Sequence, residues 1–447
     1  MSDSLFVFDE YKVTAEGKKV SFFYHYKNSA DETIGSFEEY YILPTAINPT
    51  NATTRYILQQ LHIIIGINYY KSLLGQIQLP YDLTQSEVDY YNTIYHDGLG
   101  EYSFVNQLTG IIKPFSVSAE AEDRQPIDLP ANAGALLGVG GGKDSTVAAE
   151  ITKGIQLETT VLDIATRDHH GQAGAVMDKT GLPQMRVERY LDYGIVAFTA
   201  EHQGKNGHVP LSVFLSWIGV LLAYTTNKRY IMMANEAATA EGFVEWNGRV
   251  VNHQWAKSPE VEKLTQNFVH THVSPDLWYF SPIRAYSSLA VMELFAIVGT
   301  PYYQDFTSCN AVLRIDPSQR PNGRWCTHCA KCLSTWLLLS TKITVPQLTE
   351  IFGRNLFDDT TLRPTLDALL GITGHKPLDC VGTIEELRAA TRLTLENSKN
   401  HPLLNGLSVT DIPGPSSHEL INTRAKTTVP PELQDPIEDF VSLHLKQ

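Results

Sequence analysis

The sequence has no surplus of positive charge. Its 447 residues carry 35 Lys+Arg against 49 Asp+Glu, a formal net charge of -14. A general nucleic-acid binder needs extra Lys and Arg to neutralise phosphates, so nucleic acid is not an expected partner, although a few local cations would suffice for a small anion. Long apolar runs are missing too. The longest, Leu211–Tyr224, is interrupted by Ser212, Ser216, Trp217 and Gly219, so it is too short and mixed for a membrane span and reads as a buried helix. The opening residues, Met1-Ser2-Asp3-Ser4, show no basic stretch followed by an apolar one, and no secretory signal is expected. Cysteine is scarce, at five residues. Cys309, Cys326, Cys329 and Cys332 crowd into one stretch, and Cys380 stands apart. An odd count in this arrangement argues against a disulfide framework and for reduced thiols in a cytoplasm.

The composition is otherwise ordinary for a globular chain, 43% hydrophobic and 19% charged. The length allows roughly two to four domains. Leu5–Phe8 and Val20–Tyr24 flank a turn at Glu16-Gly17 and read as a hairpin. Residues 53–75 and 84–96 read as helices, the first with Tyr56, Leu58, Leu61, Ile64 and Ile65 on one face. Residues 1–125 are therefore expected to form a small α+β domain. Pro114–Ala133, with Pro126 and Pro130, reads as a linker.

From Gly134 strand and helix alternate. Strands are expected at 135–139, 159–164, 184–190 and 229–234, and a long helix at 209–225. Such alternation requires a parallel sheet with helices on both faces, and it places an α/β domain over 126–340. Residues 341–447 read as mainly helical, with an extended Pro/Ser/Thr-rich stretch at 413–436.

The first expected strand runs into Gly138-Val139-Gly140-Gly141-Gly142-Lys143-Asp144-Ser145-Thr146, which opens a helix. Successive glycines let backbone N–H groups converge, and the helix N-terminus adds positive charge, so the loop suits an anion of pyrophosphate size. The Walker spacing is absent because Asp144 follows Lys143, and the Rossmann spacing also fails. The segment resembles the S-G-G-x-D-S signature of PP-loop ATP pyrophosphatases through Gly141, Gly142, Lys143, Asp144 and Ser145, with Gly140 where that family usually has Ser. The resemblance implies an adenine nucleotide alpha hydrolase-like core, ATP held by residues 140–146, magnesium beside Asp144, and attack at the α-phosphate.

Cys326-x-x-Cys329-x-x-Cys332 together with Cys309 supplies four thiols. That set suits tetrahedral zinc in a structural role, with no open position. An iron–sulfur cluster and plain buried cysteines are the other readings. The cysteine spacing and His208-Val209-Pro210 also resemble 7-cyano-7-deazaguanine synthase, but this chain is about twice the length that a bare PP-loop domain needs.

A resemblance over nearly the whole chain is to the UDP-N-acetylmuramoyl-L-alanyl-L-glutamate epimerases (MurL). It is carried by the Phe/Tyr-rich first strands, the glycine loop, Asn206–Pro210, Asn235-Glu236, Asn252–Ser258, Phe280–Arg284, the cysteine cluster and Lys376–Thr383. It implies a small-molecule substrate, a UDP-sugar peptide ending in L-Glu, activated by ATP as an acyl-adenylate and released as D-Glu with AMP and pyrophosphate. His253, Lys257 and Glu236 are the expected catalytic residues, with His253 favoured over His208. Arg284, Arg314, Arg320 and Arg324 are candidates for the UDP diphosphate. Cys380 reads as a buried or free thiol. A PP-loop amide or nitrile synthetase, a tRNA-modifying enzyme and a non-catalytic nucleotide sensor are the competing functions.

Overall fold

The computed structural model describes residues 4–130, 134–166, 170–314, 320–397 and 400–445. Its centre is a nine-stranded sheet in the order β11-β8-β5-β6-β7-β3-β2-β1-β4. In chain order the strands are β1 (Leu5–Val13), β2 (Lys19–Lys27), β3 (Thr33–Ile42), β4 (Gln76–Gln78), β5 (Ala135–Gly138), β6 (Thr159–Thr166), β7 (Gln184–Tyr190), β8 (Tyr230–Met233), β9 (Val244–Trp246), β10 (Arg249–Val251) and β11 (Trp278–Phe280). β11, β8, β5, β6 and β7 are parallel, as the alternating pattern requires. Mixed α/β architecture is borne out.

The parallel strands are short and covered on both faces, so neighbouring residues point into opposite layers. Leu137, Val161 and Met232 pack into one core, with Val147, Phe295, Trp336 and Leu387. Leu136, Leu162 and Ile231 pack into the other, with Ile64, Trp217 and Leu221. The helices Lys143–Gly154, Ser288–Val298 and Ala330–Leu339 form the first layer, and Ala52–Tyr70 and Leu211–Thr226 belong to the second.

The hairpin of β1 and β2 is present, antiparallel, and β3 extends it. Phe6, Phe8, Phe22, Tyr24 and Tyr26 bury against the helix at 52–70. Tyr24 and Tyr26 donate to the carbonyls of His62 (2.9 Å) and Tyr70 (2.7 Å), satisfying their hydroxyls inside that core. Gly66 permits the close packing, because a Cβ there would lie 2.3 Å from the Phe8 ring. The sheet runs across the expected boundary near residue 125. β3 pairs with β7 through Tyr40–Ile42 and Glu188–Tyr190, making the N-terminal strands one edge of the central sheet.

The expected extended stretch at 413–436 is corrected by helices at Ser417–Asn422 and Pro431–Leu445. Pro431 starts the second with its φ already set. Pro436 lies inside it, where burial of Leu433, Ile437 and Val441 holds the helix despite one missing N–H. Among the described residues no helix is long and apolar enough to cross a membrane.

Candidate active site

β5 and β8 are neighbours, yet the chain leaves β5 for β6 and β7 on one side and later returns to β8 and β11 on the other. Crossovers diverge at such a point and leave a crevice beyond the carboxyl ends of the strands. A cavity of about 290 Å³ opens there. Its walls are the glycine loop, residues 162–164 of β6, residues 233–235 at the end of β8, residues 307–310, and Lys257, Lys331 and Cys380.

The loop geometry follows from its composition. Gly141 has φ +82°, a conformation that glycine, lacking a Cβ, adopts without strain. Gly142 is the N-cap of the helix Lys143–Gly154 and has no side chain to bond the first-turn N–H groups. Those donors, with the positive helix end, suit an anion in the cavity. Ser145 and Thr146 hydroxyls donate back to the Gly142 carbonyl at 3.1 and 3.0 Å. Gly140, Gly142, Asp144 and Ser145 line the cavity.

Lys143 turns inward. Its ammonium is buried and bonded to Asp144 and, at 2.9 Å, to Glu236. Burial opposes its charge, but the two carboxylates more than offset that and raise its pKa. Asp144 is held below the usual carboxylate range: burial raises it, and Lys143, Lys331 and Lys257 overcome that. Glu236, which also accepts from the Ser288 hydroxyl, serves as the anchor of Lys143.

Lys257 faces the cavity, its Nζ donating to Cys380 Sγ at 3.4 Å. The sulfur's charge is the main reason its pKa is raised. His253 bonds through Nδ1 to Glu101, and the sulfur of Cys380 is close enough to favour its charged form. Burial lowers its pKa, but these partners reverse that and bring it up to about 9. His208 lies 3.9 Å from Glu101, its ring 4.8 Å from that of His253, and burial holds it down to about 4. The Cys380 thiol, pushed up by burial, is pulled down to about 6 by Lys257, His253 and Lys331.

Cys380 arrives from the C-terminal region. Its segment is fastened by Lys376 to Glu241, Asp379 to Asn310, and the Cys380 carbonyl to Lys331. Further along, Glu386 accepts from the N–H groups of Ser288 (2.6 Å) and Thr383 (2.7 Å). Sequence reasoning gives Cys380 no partner and omits Glu101 and Lys331. The available signal was the run Lys376–Thr383, whose partners lie far away in the chain.

The four clustered cysteines converge, their sulfurs all within 4.8 Å of one another. Cys326–Cys332 and Cys329–Cys332 sulfur separations are 3.6 and 3.5 Å. Four thiolates around one ion at a Zn–S distance of about 2.3 Å would sit about 3.8 Å apart. The N–H groups of Cys326 and Cys332 donate to the sulfurs of Cys309 and Cys329, both at 3.4 Å. Cys309 also borders the cavity.

Arg284 is not available to a diphosphate. It is fully buried, paired with Glu262 at 2.8 Å, and donates to the carbonyls of Glu236 (2.9 Å) and Lys257 (2.8 Å). Arg324 is occupied by Asp305, and Arg320 donates to the Arg314 carbonyl.

The sequence profile of the MurL N-terminal domain matches residues 2–282, and that of the MurL C-terminal domain matches residues 305–411. A UDP-N-acetyl-alpha-D-muramoyl-L-alanyl-L-glutamate epimerase from Xanthomonas oryzae pv. oryzae is 36% identical over 353 residues, covering 78% of this chain and 76% of the relative. The enzyme of the same name from a Micromonospora species is 32% identical over 375 residues, 81% of each chain. The one from Salinispora tropica is 31% identical over 380 residues, 83% of this chain and 81% of its own. With both halves matched and the relatives covered over most of their length, the chain belongs to the MurL epimerase family.

Proposed function

We propose that the protein inverts the terminal L-Glu of UDP-MurNAc-L-Ala-L-Glu, at the cost of ATP cleaved to AMP and pyrophosphate, on a core of the PP-loop type. The observation that carries this reading is the meeting, in one cavity, of the glycine loop with Lys257 and Cys380. One wall suits a polyphosphate and the other suits proton transfer.

The chemistry explains why both are needed. An α-proton beside a free carboxylate is very weakly acidic, because its removal places a second negative charge next to the first. Converting the carboxylate to a mixed anhydride with AMP removes that charge, and a positioned base can then take the proton. The donors of the loop and the helix N-terminus would hold the pyrophosphate end of ATP. Asp144 would hold magnesium, which neutralises the phosphates. Lys257 and Lys331 add positive charge where the carboxylate and α-phosphate meet. Hydrolysis of the anhydride makes the inversion irreversible.

Incubation with ATP, magnesium and UDP-MurNAc-L-Ala-L-Glu tests the reading, scoring AMP and the configuration of the glutamate. Substrate-dependent AMP together with D-Glu is the expected result. AMP formed only when an amine is added, with L-Glu retained, would identify a synthetase instead.

We also assign zinc to Cys309, Cys326, Cys329 and Cys332, on the spacing of their sulfurs. Elemental analysis is expected to find zinc at about one ion per chain, and Cys329→Ser to lose it and destabilise the protein by at least about 2 kcal/mol. Iron with a visible charge-transfer band would replace zinc by a cluster.

A further inference from the structure

We propose that Cys380 is the group that takes the α-proton of the activated glutamyl residue, with Lys257 and His253 holding its thiolate and Glu101 orienting His253. The inference rests on the adenylate reading above and assigns that reaction its base.

The geometry selects the sulfur from its neighbours. Cys380 is on the cavity wall with Lys257, in the same space as the glycine loop and Asp144. Lys257 Nζ at 3.4 Å supplies a fixed positive charge and a hydrogen bond. His253, fixed by Glu101, adds a second positive charge that favours the thiolate. An imidazole bonded to a carboxylate on one side and facing a sulfur on the other is the arrangement that activates a thiol in other enzyme classes. Lys257 and His253 are both expected to be cationic at neutral pH, so neither can accept a proton. The thiolate between them can. Glu236 is excluded by its bonds to Lys143 and Ser288.

The step balances. The Cα–H bond breaks, an S–H bond forms on Cys380, and the electron pair stays on carbon, delocalised into the acyl carbonyl. A proton from water then adds to the opposite face, and the thiol returns its proton to solvent. Lys257 is not the second donor, since two groups flanking one carbon would stand about twice a hydrogen-bond length apart, near 6 Å, whereas Lys257 and Cys380 are in contact.

The charged groups facing the sulfur are Lys257, His253 and Lys331, all of which favour the thiolate; Asp144 and Glu236 act on it indirectly, through Lys257. Inversion should therefore be constant near neutral pH and fall, one proton at a time, below pH about 6 as the thiolate is lost.

The decisive experiment compares wild type with Cys380→Ser in D2O, with UDP-MurNAc-L-Ala-L-Glu. It follows ATP–pyrophosphate exchange, deuterium at the glutamyl Cα, and D-Glu. The serine variant is expected to keep substrate-dependent exchange within about threefold while losing inversion and deuterium uptake by at least about 100-fold, the scale of general-base catalysis. Exchange intact with inversion within about tenfold of wild type, well short of that scale, would overturn the proposal. So would loss of exchange in both Cys380→Ser and Cys380→Ala, which would put the thiol in activation or in the fold. Absence of substrate-dependent exchange in wild type would instead overturn the adenylate reading.

Discussion

Replacing Asp144 by Asn is expected to stop AMP formation and leave the protein folded. The carboxylate sits in the first turn of the helix at 143–154, on the cavity wall, with its pKa held down by Lys143, Lys331 and Lys257. It is therefore a full negative charge in a cavity otherwise rich in donors and cations. Among the described residues its direct ion-pair partner is Lys143, which has a second partner in Glu236 at 2.9 Å. Structure alone would need just one of these two carboxylates; the other, on the cavity side, is free to hold a divalent cation on a polyphosphate. Asparagine keeps the shape and removes the charge. The loss in AMP formation should be about 100- to 1000-fold, comparable to removing one preorganised electrostatic contact from a reacting centre. The cost to stability should stay near 1 kcal/mol, since one acidic group is lost from a helix N-terminus and Lys143 keeps Glu236. AMP release, measured alongside the thermal midpoint, checks both halves. AMP formation within about tenfold of wild type would remove Asp144 from phosphate chemistry.

The parts of this molecule legible in its sequence are those specified locally. β7 spans Gln184–Tyr190 as its residues predict, because apolar and polar positions and the flanking turns lie within a few residues of one another. The glycine loop is legible for the same reason: a strand, a left-handed Gly141 and a helix N-terminus follow each other directly. Asn247-Gly248, both with positive φ, is an equally local hairpin signal joining β9 and β10, and it is absent from the sequence expectations. What could not be read is pairing across distance. Tyr41 and Arg189 meet in the sheet although 148 residues apart, and nothing in either segment announces the other. Lys257 and Cys380 are 123 residues apart. Lys143 looks like a phosphate ligand by its place in the loop, and only the fold shows that Glu236 draws it inward. Arg284 looks like an anion-binding arginine until its burial is known, because the same guanidinium fork suits a phosphate or an internal carboxylate and carbonyls equally well.

That burial makes Arg284 a position where a substitution should cost much stability. Arg284→Met is expected to destabilise the protein by about 3–5 kcal/mol, because it leaves the carboxylate of Glu262 buried without its cation. Both side chains are essentially shielded from water, at 0% and 2% exposure, so solvent cannot take over the arginine's role. The arginine also satisfies the Glu236 and Lys257 carbonyls and bonds Thr239 Oγ1 at 2.7 Å. A double variant, Arg284→Met with Glu262→Leu, separates these contributions. Removing the stranded charge should recover most of the loss, and the remainder, about 1 kcal/mol, should reflect the arginine's lost bonds to the two carbonyls, which Thr239 continues to serve. Denaturant unfolding of the single and double variants measures the two. A single variant within about 1 kcal/mol of wild type would show that Glu262 finds another partner or takes up a proton. The consequence extends to the site, because Arg284 fixes the backbone of two residues on which the chemistry depends. Glu236 holds Lys143 behind the loop, and Lys257 meets Cys380 in the cavity. Even the folded fraction of Arg284→Met should therefore lose activity, whereas a buried pair serving stability alone would leave the folded fraction fully active.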